Sequence, residues 1–181
     1  MDQTMTSTTM TPARALPMDK ILVAIAFVLA LAVIAGAWGS QLIGGLVPCE
    51  LCLAQRQAYY WGLPVLALIL IFWNRLPLPV WYVAVLVAVG IFIWSTYMGS
   101  YHAGVEWGFW PGPTACTGSG DGPNLNDLLT GDIKKVVPCD VVQWRDPIIK
   151  FSLAGYNAIL SAVVVVILLA AIVFQVRRKA A

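Results

Sequence analysis

Four apolar runs, each about as long as a bilayer is thick, constrain this chain more than any other feature. They fall at about 21–40, 54–73, 80–99 and 153–176, against the roughly 20 residues that a helix needs to cross hydrocarbon. Lipid offers backbone N–H and C=O groups no partner, so runs of this kind satisfy them internally, as helices. None shows the two-residue alternation of an outer-membrane barrel strand. The fourth run is slightly longer, which permits tilt without setting an angle. The expected fold class is an all-α membrane protein: a four-transmembrane-helix bundle with two external cysteine-containing loops. Composition excludes the soluble alternative. The chain is 60% hydrophobic and 11% charged, whereas soluble domains carry about 25% charged residues. A net charge of +2, widely dispersed, argues against a nucleic-acid partner.

Lysine and arginine near the helix ends set the expected orientation. Arg14 and Lys20 precede the first run, Arg75 joins the second to the third, and Arg177, Arg178 and Lys179 follow the fourth. All share one side if both termini are cytoplasmic. The opposite loop, 100–152, balances its cations with Glu106, Asp121, Asp127, Asp132, Asp140 and Asp146. Residues 1–18 read as a disordered cytoplasmic lead, 19–179 as a single four-helix membrane domain, and 180–181 as a tail. The connections 41–53 and 100–152 are the external loops. Ala35-Gly36-Ala37 resembles a signal-peptidase site, but the apolar run is long for a signal core and the first helix is expected to be retained. Leu125, Leu128, Leu129, Ile133 and Val136 fall near helical spacing, as in a short surface helix. Trp38, Tyr59, Tyr60, Trp61, Trp73, Trp81, Tyr82 and Tyr101, near segment ends, read mostly as an interfacial belt.

All four cysteines fall on the external side of this topology: Cys49 and Cys52 in the first loop, Cys116 and Cys139 in the second. An even number in one compartment points to disulfide chemistry on an oxidising side. Zinc is the competing use, but zinc sites favour close-spaced pairs, and Cys116 and Cys139 are far apart, so no metal is expected. Two static bonds would explain a stapled second loop. They explain Cys49-x-x-Cys52 poorly, because so short a ring constrains little while C-x-x-C spacing activates a thiol. Pro48 can open a helix, which puts both sulfurs in a first turn where the dipole favours thiolate.

Arg56 lies four residues after Cys52, on the same helix face and one turn deeper. An arginine there either snorkels to headgroups or serves as a cation for the Cys52 thiolate and for a carbonyl oxygen of a lipophilic acceptor. His102, the sole histidine, is placed just past the third helix, where it can supply a hydrogen bond or proton to the Cys49–Arg56 turn. Glu50 and Glu106 are assigned to solvation and tuning.

Pro48-Cys49-x-Leu51-Cys52-x-x-x-Arg56, His102 ahead of Pro111-x-Pro113-x-Ala115-Cys116, and Cys139 followed by Gln143-Trp144 together resemble one family. It is the disulfide bond formation protein B (DsbB) family of bacterial inner membranes, and the resemblance covers nearly the whole chain. It implies a membrane thiol:quinone oxidoreductase, with both termini cytoplasmic and the cysteine loops periplasmic. The implied partner is a periplasmic thioredoxin-fold DsbA-type oxidase, and the implied electron acceptor a membrane quinone (ubiquinone or menaquinone) within the lipid bilayer. By the same resemblance Cys116 forms the mixed disulfide with the partner, Cys139 exchanges with Cys49, and Cys52 is the thiolate that meets quinone. Arg56 and His102 help to bind it. Two other readings compete: a vitamin K epoxide reductase-like quinone and thiol enzyme, and a structural or transport-associated membrane protein with static disulfides. Helix count, loop order and the Arg56 spacing disfavour the first; the scarcity of intramembrane ionisable residues disfavours transport.

Overall fold

The computed structural model describes residues 17–113 and 138–180. The described residues contain four helices: α1 (Met18–Leu42), α2 (Glu50–Ile71), α3 (Leu78–Glu106) and α4 (Leu153–Ala180). Three of them, α1, α3 and α4, are long and apolar enough to cross a membrane. α2 is not among these three. Its first two turns hold Glu50, Gln55, Arg56 and Gln57, which dilute its hydropathy; the sequence expectation counted the span only from Ala54. The lead before residue 17, Cys116 and the proposed surface helix at 125–136 lie outside the described residues.

Local chemistry marks the helix ends. Pro17 and Pro77 sit in extended geometry as the N-caps of α1 and α3, where a missing N–H costs nothing. α2 is capped by Cys49, whose sulfur accepts the Cys52 N–H at 3.2 Å. α3 runs well beyond the expected limit at 99. It stops at a Schellman motif: the Phe109 N–H reaches Gly104 O at 2.9 Å and the Gly108 N–H reaches Val105 O at 3.1 Å. Gly108 takes φ +74 there, a conformation open chiefly to glycine. The extension corrects the position of His102 and Glu106, which belong to the last turns of α3 rather than to the following loop.

Each helix packs on two neighbours, so the bundle is a ring in the order α1, α2, α3, α4. Val23, Ala30, Leu66, Val85, Phe92, Val164 and Leu168 fill its centre, while Val28, Val83 and Val166 face outward. At one end the Arg178 guanidinium meets the buried Asp19 carboxylate at 3.2 Å and ties the start of α1 to the end of α4. Near the other end α3 and α4 approach closely at Gly99. A Cβ there would lie 2.7 Å from Ala158 N and 2.9 Å from its Cα, and main-chain atoms of a packed helix cannot step aside. Gly99→Ala is expected to lower stability by about 1–3 kcal/mol, the usual cost of overpacking. Thermal unfolding in detergent reads the shift, and an unchanged midpoint would contradict the close approach.

Candidate dithiol site

The end of the bundle near Gly99 gathers the polar chemistry. Cys49 and Cys52 are both free thiols, the first buried and the second partly so. The helix start supplies their geometry, since the cap position and third residue of a first turn share one side. The Cys49 thiol is pushed far up from the ordinary range, first by its hydrogen bond with the Cys52 sulfur and then by burial. Cys139 is disulfide-bonded and buried. It packs in one cluster with Cys49, Leu51 and Val105, against which Cys52 lies. The Gln143 amide, donating to Val47 O at 2.6 Å, fastens the segment after Cys139 to the chain entering α2.

Arg56 is 7% exposed and points into the protein. Its guanidinium donates to Gln41 Oε1 at 2.6 Å and to Ala37 O at 2.9 Å, both near the C-terminal end of α1, and lies 5.3 Å from the centre of the Trp38 ring. A helix C-terminus carries partial negative charge, so the cation complements it. Snorkelling to headgroups does not describe this side chain.

His102 is also buried, at 3% exposure. Its Nε2 faces Cys49 Sγ at 3.7 Å and Glu106 Oε1 at 3.9 Å; its Nδ1 meets Gln55 Nε2 at 2.6 Å. Glu106 is itself turned inward, and its Oε2 is buried without a hydrogen-bond partner. Of its expected roles, solvation and tuning, this geometry does not fit solvation. The site also holds residues that sequence reasoning missed. Gln55, Asn157, Ser161 and Ser95 are buried polar side chains. Tyr59, expected in the interfacial belt, is 2% exposed and hydrogen-bonds Asn157. Trp81 is another buried exception to the belt. A signal for the missed group existed: Asn157 and Ser161 stand four residues apart in an otherwise apolar helix, and such polar groups in a span face the bundle interior.

Cys49, Cys52, Gln55, Arg56, Tyr59, His102, Glu106 and Asn157 border a cavity of about 450 Å³. Apolar α1 side chains such as Leu29 and Val33 line one part, and Cys52, Gln55, Arg56, Tyr59, His102 and Asn157 converge on another. The volume lies in the range of small-molecule pockets, and a mainly apolar wall with a few converging polar groups suits a lipophilic ring bearing carbonyl oxygens. The donor atoms of Cys49, Cys52 and His102 also lie within 4.8 Å of one another, a set able to hold a soft metal ion. The wide separation of Cys116 and Cys139, on which zinc was disfavoured, does not bear on this group, which draws its third ligand from His102.

A helical membrane protein with a buried, cavity-facing dithiol is the class that fold and site define. The chain belongs to the DsbB family: the family model for disulfide bond formation protein DsbB matches residues 19–171. It is accordingly a membrane protein of disulfide-bond formation. Neither the search of curated proteins nor that of solved structures found a match.

Proposed function

We propose that the protein is a quinone-dependent disulfide oxidoreductase that reoxidises a periplasmic DsbA-type dithiol oxidase. In this reading α2 is the fourth span of the bacterial inner membrane, both termini are cytoplasmic, and the cysteine loops are periplasmic. The observation that carries it is the free Cys49–Cys52 dithiol, which shares a cavity wall with the inward-facing Arg56 cation. In this reading Cys139 pairs with Cys116, as the resemblance to the family implies.

The relay follows from thiolate attack on disulfide sulfur. A partner thiolate attacks the Cys116–Cys139 bond at Cys116, forms the mixed disulfide and releases Cys139 as a thiolate. Cys139 attacks Cys49 of an oxidised Cys49–Cys52 pair, and Cys52 leaves as the thiolate. The partner's second thiol then displaces Cys116, which frees the oxidised partner; Cys116 attacks Cys139, closes their bond again and leaves Cys49 and Cys52 reduced. The partner is itself a strong oxidant, near −120 mV, so a better acceptor must follow it. Quinone, when bound, takes the two electrons and two protons that the dithiol releases on becoming a disulfide.

Arg56 and the cavity wall would hold the quinone ring, and the Cys52 sulfur lines that same space. His102 offers a hydrogen bond at the Cys49 sulfur. The test is purified protein with a reduced DsbA-type oxidase and ubiquinone or menaquinone analogues, followed by quinone absorbance. The account expects catalytic quinone loss that requires all four cysteines. Oxidase reoxidation without quinone consumption would contradict it.

A further inference from the structure

Seven buried groups on three helices and a helix cap form one continuous hydrogen-bonded chain. Ser95 Oγ lies 2.9 Å from Ser161 Oγ, which lies 2.8 Å from Tyr59 Oη. Tyr59 Oη donates to Asn157 Oδ1 at 2.6 Å, and Asn157 Nδ2 donates to Gln55 Oε1 at 2.7 Å. Gln55 Nε2 then meets His102 Nδ1 at 2.6 Å, and His102 Nε2 faces Cys49 Sγ at 3.7 Å.

The chain has a direction. Tyr59 has a single hydroxyl proton and gives it to Asn157, so Ser161 must donate to Tyr59 and Ser95 to Ser161. An amide that receives at its oxygen presents its NH₂ to the next group. Gln55 therefore reaches His102 with a donor, which only an unprotonated Nδ1 can accept. In a neutral imidazole the proton then sits on Nε2. Nε2 faces two groups able to accept that proton, the Cys49 sulfur and the Glu106 carboxylate. Every member of the chain points its proton toward the cysteines.

We infer that Gln55, Asn157 and Tyr59 are positioning residues that hold His102 as the Nε2–H tautomer, aimed at the Cys49 sulfur. They touch no sulfur themselves and act through the imidazole. Burial makes the arrangement demanding, because in a low-dielectric interior each misdirected amide leaves a polar group unpaired. The consequence is that His102 meets Cys49 as a hydrogen-bond donor rather than as a base. The tautomer stands on geometry alone, while its value to thiol exchange rests on the function proposed above.

His102 is the only histidine in the chain, so ¹⁵N-histidine labelling of the full-length reduced protein in detergent yields one imidazole. The expected spectrum has Nδ1 at an unprotonated-nitrogen shift and Nε2 at a protonated one. Gln55→Glu offers Nδ1 a carboxylate oxygen, and Nδ1 is then expected to become protonated. Tyr59→Phe keeps the ring and removes only the hydroxyl that orients Asn157, and the two shifts are expected to move toward each other. A wild-type spectrum with the proton on Nδ1 overturns the assignment. Wild-type shifts retained in both folded variants overturn the positioning role. Failure of quinone turnover beside an Nε2–H spectrum would remove the proposed function and leave the tautomer intact.

Discussion

Cys52→Ser should stop quinone reduction altogether, a loss on the order of 10⁴-fold or more, the scale seen when a nucleophile is removed. Serine keeps the shape of the first turn of α2 but cannot release electrons by closing a disulfide. Cys49 remains buried beside Cys139 in this variant, so sulfur exchange with the second pair can still begin. It cannot be resolved toward the lipid, because Cys49, although it also borders the cavity, is left without the second thiol needed to close a disulfide. Stopped-flow quinone absorbance measures the loss. Quinone reduction retained at even a few per cent of wild type would mean that Cys49 alone reaches the acceptor, and the assigned order of the sulfurs would fail.

Arg56→Met is expected to raise the quinone KM by about 10–100-fold, the range for losing hydrogen bonds to a charged group. The change strands Gln41 Oε1 and Ala37 O, which Arg56 now holds, and removes the one cation bordering the cavity among the described residues. Partner oxidation measured under saturating quinone should change far less. Arg56→Lys should fall between, since it restores charge without the planar fork that serves two acceptors together. An unchanged KM in Arg56→Met would reduce Arg56 to a clamp between α1 and α2.

The bundle itself could be read from four apolar runs, because hydropathy reports what lipid demands of a backbone. Helix ends were harder to read. The third run loses its apolar character at Ser100, yet α3 continues to Glu106, since a helix end is set by turn chemistry and the stop signal is Gly108. The first turns of α2 show the reverse effect: residues that serve the site make it the least apolar of the four helices. Cys49, Cys52 and Arg56 were legible because their spacing is local and lies on one helix face. Tyr59 was not. Its partners Asn157 and Ser161 follow about a hundred residues later (98 and 102 positions along the chain), so an aromatic near a boundary looked like belt. His102 joins the site only through contacts with Cys49 and Gln55, positions 53 and 47 residues away. Inward-facing polar groups are a tertiary fact, and one helix at a time does not reveal them.

The central claim is that the Cys49–Cys52 dithiol delivers its electron pair directly to quinone. Single turnover tests it without any partner protein: protein reduced at Cys49 and Cys52 is mixed with a short-chain quinone under anaerobic conditions. Quinol formation and thiol loss are then counted together. The account predicts one quinol for each Cys49–Cys52 disulfide formed, with both signals rising at the same rate. Thiols that persist in the presence of excess quinone would contradict it.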